Sequence, residues 1–321
     1  VSASLKRWLG WTARIVLTIA VTYFLFRSLR LSWSEIAALD AVDWRPRPAP
    51  VAASLAVLLA VLVYAVWLWM AMVRSLGGPA LPLLEATRIF YLALLGRYLP
   101  GKVWQLAGLA YLAGKKGVSL PVATSSAVLG QIFSLGAAAC VAAAGLAVGV
   151  GRGYPSGTAL WPLAVLALVG IATLVPAAQR LGLRIAFKLG GKGEEAPELD
   201  GWFGARWLTL YLPVWLGYGV AFGLLWASFP ALPPVFWPGA IGALAAAYFV
   251  GYAALFAPAG VGVREGALAV LLAPWAGAAA AAVLAVIARI WMTVGELVPL
   301  GAAGGAWALA RVRKNREGLT R

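Results

Sequence analysis

Arg97-Tyr98-Leu99-Pro100-Gly101-Lys102-Val103-Trp104-Gln105 lies inside a chain of long hydrophobic runs. Proline removes a backbone donor and glycine loosens a helix, so Pro100-Gly101 predicts a break. Two cations flank it, Arg97 and Lys102. In lipid, broken backbone and buried charge are tolerated only where protein or a water-filled cavity surrounds them. A second stretch has the same pattern: Ala257-Pro258-Ala259-Gly260-Val261-Gly262-Val263-Arg264-Glu265-Gly266. The chain reads as two halves, each organised around one break.

Composition sets the medium. Hydrophobic residues make up 63% and charged residues 12%, against roughly 25% charged in a soluble domain. The apolar runs are long and rich in Ala and Leu, which predicts helices rather than the short alternating strands of a barrel. The fold class expected is therefore an all-α polytopic membrane protein. One cysteine, Cys140, excludes an intramolecular disulfide, and the absence of histidine excludes a His-based metal site or a Ser-His-Asp triad. The net charge of +15 points to loops facing anionic lipid rather than to nucleic acid. No cleavable signal peptide is evident: the first apolar run is long enough to span.

Full spans are expected at 11–29, 50–73, 120–149, 157–178, 205–229 and 278–309, with a short interfacial helix over 31–44. Residues 83–114 and 236–274 are too interrupted for single spans. The second arm of the first, 102–114, reaches only about 20 Å at about 1.5 Å per residue, short of the roughly 30 Å hydrocarbon core. Both are read as re-entrant helical hairpins, with tips at Pro100-Gly101 and Pro258-Ala259-Gly260. The division is 1–178, a polar loop over 179–204 that starts as a basic surface helix (Arg180, Arg184, Lys188), and 205–321. Pro100 to Gln131 and Pro258 to Arg289 are both 31 residues, which suggests an internal repeat.

Basic residues favour the cytoplasmic side. With both hairpins re-entering on the side they came from, the N-terminal cluster, Arg74, Lys115-Lys116, the 179–204 loop and the basic C-terminal tail all face the cytoplasm. The two halves are then inverted, and the expected site lies near the midplane where broken helices meet.

Arg or Lys at the bilayer centre costs about 2.5–3.5 kcal/mol on insertion scales. The candidates in broken or spanning regions are Arg97, Lys102, Arg264 and Arg289, with the acids Glu265 and Glu296. One reading is a cationic cavity for a phosphate-like anion, aided by backbone N–H groups at broken helix starts. The other is structural: Arg264 or Arg289 pairs with Glu265 or Glu296, and Arg97 and Lys102 snorkel to an interface. Gly101, Gly260 and Gly262 permit the turns, whether or not they also line the site. Trp104 and Gln105 follow the first break; Trp104 caps a cavity or sits in an aromatic belt. Gln131 is either an interhelical hydrogen bond or a site group. No Gly-Lys-Ser/Thr phosphate loop is present, so no nucleotide-driven pump is expected; no metal and no cofactor are expected either.

The segments Tyr-Leu-Pro-Gly-Lys-Val-Trp and Pro-Ala-Gly-Val-Gly-Val-Arg-Glu-Gly-Ala, with Ala288-Arg289 in the next helix, resemble the lysylphosphatidylglycerol synthase transmembrane family. The family comprises flippase domains of aminoacyl-phospholipid synthases and stand-alone, glycosyltransferase-associated proteins. Arg264, Glu265 and Arg289 fit its second motif. The first motif departs from the commoner form: Trp104-Gln105 stand where Gly-Glu is usual, and Gly130-Gln131 where a Glu-Arg pair is usual. Only a short basic tail follows the last span, so the resemblance implies lipid movement and not lipid synthesis. The expected function is non-enzymatic: a flippase of the cytoplasmic membrane for an anionic phospholipid or a polyprenyl-phosphate, with or without a sugar. The alternatives are an ion-coupled carrier of a small soluble anion, and a scaffold that docks a glycosyltransferase.

Overall fold

A computed structural model describes residues 44–98, 103–150, 152, 156–190, 199–254 and 257–319, with Thr12, Val16, Ile19 and Tyr23 before them; for 156–161, 187–190 and 305–319 it gives the backbone path alone. Apart from those four positions the expected first span, the interfacial stretch before Trp44, residues 191–198 of the middle loop and the tip 99–102 lie outside the described residues.

Ten α-helices follow one another among the described residues: α1 Pro48–Ser75, α2 Leu83–Leu94, α3 Val103–Gly114, α4 Leu120–Gly149, α5 Ser156–Ala172, α6 Pro176–Gly190, α7 Phe203–Ala227, α8 Trp237–Ala253, α9 Val263–Ala276 and α10 Ala278–Leu319. Two 3-10 turns, Leu95–Tyr98 and Pro258–Gly260, sit at the breaks. Among the described residues four helices are long and apolar enough to cross a membrane: α1, α4, α7 and the Ala278–Ala302 part of α10. The chain is a multi-pass helical membrane protein.

Local chemistry sets the ends. Proline stands in the first turn of α1, α4 and α8, where its missing N–H would have no intrahelical partner. Gly77, at φ 83°, closes α1, with the Gly78 N–H donating to the Val73 carbonyl at 2.9 Å. The expected span 157–178 is divided. α5 stops at Ala172, a turn follows, and Pro176 starts α6. On α6, Leu183 and Ala186 are buried while Arg180 and Arg184 are exposed. It is an amphipathic helix laid against α4.

The helix pairings are two-fold. α1 packs on α7. α4 packs on α8 as α10 packs on α2, and α4 meets α7 as α10 meets α1. α2 pairs with α3 and α3 with α4, just as α8 pairs with α9 and α9 with α10. That scheme is what an internal duplication produces. The two 3-10 turns touch each other at its centre.

Small residues set the closest approach, as expected where lipid supplies no hydrophobic drive between helices. A Cβ on Gly145 of α4 would lie 2.5 Å from the Pro238 carbonyl oxygen and 2.8 Å from the Gly242 Cα of α8. Buried polar groups join spans directly. Ser54 donates to the Ala221 carbonyl at 2.7 Å, Tyr64 to the Leu210 carbonyl at 2.9 Å, and Trp69 Nε1 to Ser126 Oγ at 3.2 Å.

Candidate functional site

The first break is built from α2, its 3-10 extension and α3. Glu85 in the first turn of α2 forms an ion pair with Lys116 just beyond α3, tying the base of the hairpin. At the other end the arms cross backbone to backbone: a Cβ on Gly96 would lie 2.7 Å from the Trp104 carbonyl carbon. This contact aims Arg97 inward and places Gln105 beside it.

Arg97 meets Glu296 of α10 fork to fork. Nη1 donates to Oε1 at 2.9 Å and Nη2 to Oε2, while Nη2 also reaches the Tyr98 hydroxyl at 3.0 Å. The side chains are 12% and 11% exposed. Arg97 Nε is buried and has no hydrogen-bond partner.

The second break is a left-handed run. Ala259, Gly260 and Gly262 have φ of 51°, 69° and 80°. Glycine is favoured there, and Ala259 carries the strain. Space makes the same demand: a Cβ on Gly260 would lie 2.8 Å from the Gly251 carbonyl oxygen. Glu265 caps the helix that follows, its Oε2 accepting from the Gly262 N–H at 2.6 Å. Arg289 Nε lies 3.5 Å from Glu265 Oε1, and its Nη1 donates to the Ala259 carbonyl at 3.4 Å. The Arg289 guanidinium also stands 5.8 Å from the centre of the Tyr98 ring. Glu265 and Arg289 therefore hold the second break in shape and seat it on the first.

Arg264 differs from its neighbours. It is 6% exposed. Its Nη2 donates to the Met292 sulfur at 2.9 Å, and its guanidinium lies 4.9 Å from the centre of the Tyr248 ring. Among the described residues no carboxylate stands within ion-pairing distance of it. The two breaks thus bring together three cations, Arg97, Arg264 and Arg289, and two carboxylates, Glu265 and Glu296, leaving one positive charge over.

Two cavities share these groups. An open cleft of about 850 Å³ has Arg97, Gln105, Gln131 and Glu296 in its wall. A smaller one of about 410 Å³ is lined by Arg97, Gln105, Tyr248, Tyr252, Ala259 and Arg264. Residues from both halves therefore converge: Arg97, Gln105, Gln131, Arg264 and Glu296 line cavities, while Glu265 and Arg289 brace the break beside them. Trp104 does not join them; it is 52% exposed on the outer side of α3. Lys102, Pro100 and Gly101 lie outside the described residues.

The cleft also contains aromatic and small polar residues that sequence reading did not single out. Tyr91, Tyr211, Tyr218 and Tyr248 line it, with Trp69 and Trp215. Tyr91 donates to the Leu62 carbonyl at 3.0 Å and Trp215 Nε1 to the Ser134 carbonyl at 2.7 Å. A signal for them was present. Tyr211, Trp215 and Tyr218 fall at i, i+4 and i+7, one face of α7, and Ser126, Gly130 and Ser134 make a stripe on α4.

Phenols, amides and guanidinium groups all donate hydrogen bonds to oxyanions. The surplus cation, Arg264, lines the smaller cavity with Arg97 and Gln105, and a wall of that kind is suited to an anion in an otherwise low-dielectric setting. No curated protein matches the sequence. The family model described as the lysylphosphatidylglycerol synthase TM region matches residues 11–300, as the motifs at the two breaks lead one to expect. With so much of its length matched, the chain belongs to the lysylphosphatidylglycerol synthase transmembrane-region family.

Proposed function

We propose that this protein is a flippase that carries an anionic, phosphate-bearing lipid between the leaflets of the cytoplasmic membrane. The observation that carries the reading is Arg264, a guanidinium buried at the cavity wall and faced by a thioether and an aromatic ring instead of a carboxylate. A buried charge without a counter-charge is costly. A phosphate or phosphodiester entering the cavity supplies the missing negative charge and accepts the guanidinium's forked donors. Arg97 stands on the same wall, and the family is one of lipid-associated membrane domains.

In this reading the two halves are inverted repeats and the hairpins re-enter the membrane. The headgroup sits where the breaks meet, and movement of one half against the other turns the cavity from leaflet to leaflet. Both termini lie in the cytoplasm in this reading, which the basic N-terminal cluster, the start of the 179–204 loop and the basic tail support. The protein acts as a carrier, with no bond made or broken.

Lipids retained by the purified protein test the reading. Mass spectrometry of wild type is expected to show anionic phospholipid or polyprenyl-phosphate enriched several-fold over zwitterionic lipid. Arg264→Gln is expected to lose that enrichment while keeping its helical content. Equal retention of both lipid classes by wild type would sink the proposal.

A further inference from the structure

We propose that an apolar slot between the end of α2 and the middle of α10 holds the hydrocarbon chain of the transported lipid, with the Arg97–Glu296 pair dividing chain from headgroup. The inference rests on the lipid-carrier reading and deepens it.

The slot and the open space at its mouth together measure about 400 Å³, and Leu94, Leu95, Tyr98, Thr293, Leu297 and Leu300 are in its wall. Tyr91, Leu94, Arg97 and Glu296 line both this slot and the cleft. The two spaces are therefore neighbours, separated by the ion pair. Leu95 is 44% and Leu297 52% exposed. Leu297 belongs to the membrane-crossing part of α10, so the side chains at this mouth face hydrocarbon. An amphiphile fits such a pair of spaces: its phosphate at Arg97 on the cleft side, within reach of the smaller cavity that Arg97 shares with Arg264, its chain through the slot into lipid. A small soluble anion has no use for the second space.

α10 is built to yield at this level. Pro299 cannot donate to the Gly295 carbonyl, so one rung of the helix is missing around Glu296. Thr293 Oγ1 bonds back to the Arg289 carbonyl at 2.8 Å, a contact that bends helices. On the facing side α2 has given way to a 3-10 turn. The Nη1–Nη2 fork of Arg97 is taken by Glu296. A headgroup phosphate that takes the Arg97 fork therefore releases Glu296, and the wall between slot and cleft opens.

Two readouts in proteoliposomes test this. The first is movement of fluorescent phosphatidylglycerol by wild type, Leu297→Trp and, as a control elsewhere on α10, Val286→Trp; Val286 is also exposed, at 48%. Leu297→Trp is expected to slow movement at least tenfold and Val286→Trp to leave it unchanged. The second uses phosphatidylglycerol and phosphatidylcholine bearing a photoreactive diazirine in the chain. Peptides holding Leu297 and Leu300 are expected to take several-fold more label from the anionic lipid, and the peptide holding Val286 equal label from both. The labelling decides alone if Leu297→Trp fails to fold. Wild-type movement by a folded Leu297→Trp, or equal labelling ratios at the two positions, would overturn the slot while lipid transport by wild type stands. Uptake of inorganic phosphate without movement of any lipid would instead remove the carrier reading, and the slot with it.

Discussion

Arg97 and Glu296 stand 199 positions apart in the chain and meet through both terminal nitrogens of one and both oxygens of the other. The pair clamps the first break to the last span, one half of the molecule to the other. Its members are about nine-tenths buried. Removing one partner of such a pair strands the other charge and costs about 3–5 kcal/mol.

Arg97→Ala and Glu296→Ala are each expected to lower thermal stability in detergent by an amount of that order. Replacing both by apolar residues of similar volume, Arg97→Met with Glu296→Leu, is expected to restore most of the loss, because no orphan charge remains. Transport is expected to be lost in the double variant despite the restored stability. Single variants as stable as wild type would show that the pair is not the clamp.

Glu265 acts on the break beside it. Its carboxylate accepts the Gly262 N–H and faces Arg289. Glu265→Ala removes a helix cap worth roughly 1 kcal/mol and frees Arg289. Hydrogen exchange over residues 257–263 is expected to speed up by about five- to tenfold, with little change in α1. Unchanged exchange across the break would contradict the bracing role.

Glycine substitutions separate close packing from mere helix content. A Cβ on Gly242 would lie 2.7 Å from the Leu146 backbone nitrogen, whereas one on Gly114 meets nothing within 4 Å. Gly242→Ala is expected to destabilise the α4–α8 contact by about 1–3 kcal/mol, as overpacking does. Gly114→Ala, near the end of α3, is expected to be neutral or slightly stabilising. Unfolding curves of the two variants check the contrast; equal stability would mean that α4 and α8 shift apart freely.

The breaks were legible because their signals are local. Proline with glycine inside an apolar run predicts a kink whatever surrounds it, and cations in such a run are conspicuous. Helices α1, α4 and α7 follow from apolar length in the same way. The partners of the charges were not legible. Glu296 was offered to Arg264 or Arg289, and the structure gives it to Arg97, because the choice depends on which helix of one half lies against the other. The pairing of Arg289 with Glu265 was one of the structural alternatives; it is a contact between neighbouring helices. The boundary at Ala172 was missed although Pro176 marked it. The tyrosine face of α7 was missed because phenols in apolar spans are ordinary, and only their convergence with Gln131 and Gln105 makes them a wall.

The central claim is that the buried Arg264, which makes no ion pair among the described residues, binds the headgroup of a moving lipid. Its most direct test is the transbilayer movement of fluorescent phosphatidylglycerol and phosphatidylcholine in proteoliposomes holding wild type or Arg264→Gln. The account predicts that wild type moves the anionic lipid faster than the zwitterionic one. It also predicts that Arg264→Gln slows the anionic lipid by about tenfold to a hundredfold, the loss of a hydrogen bond to a charged group. Equal rates for the two lipids, or equal rates for the two proteins, would contradict it.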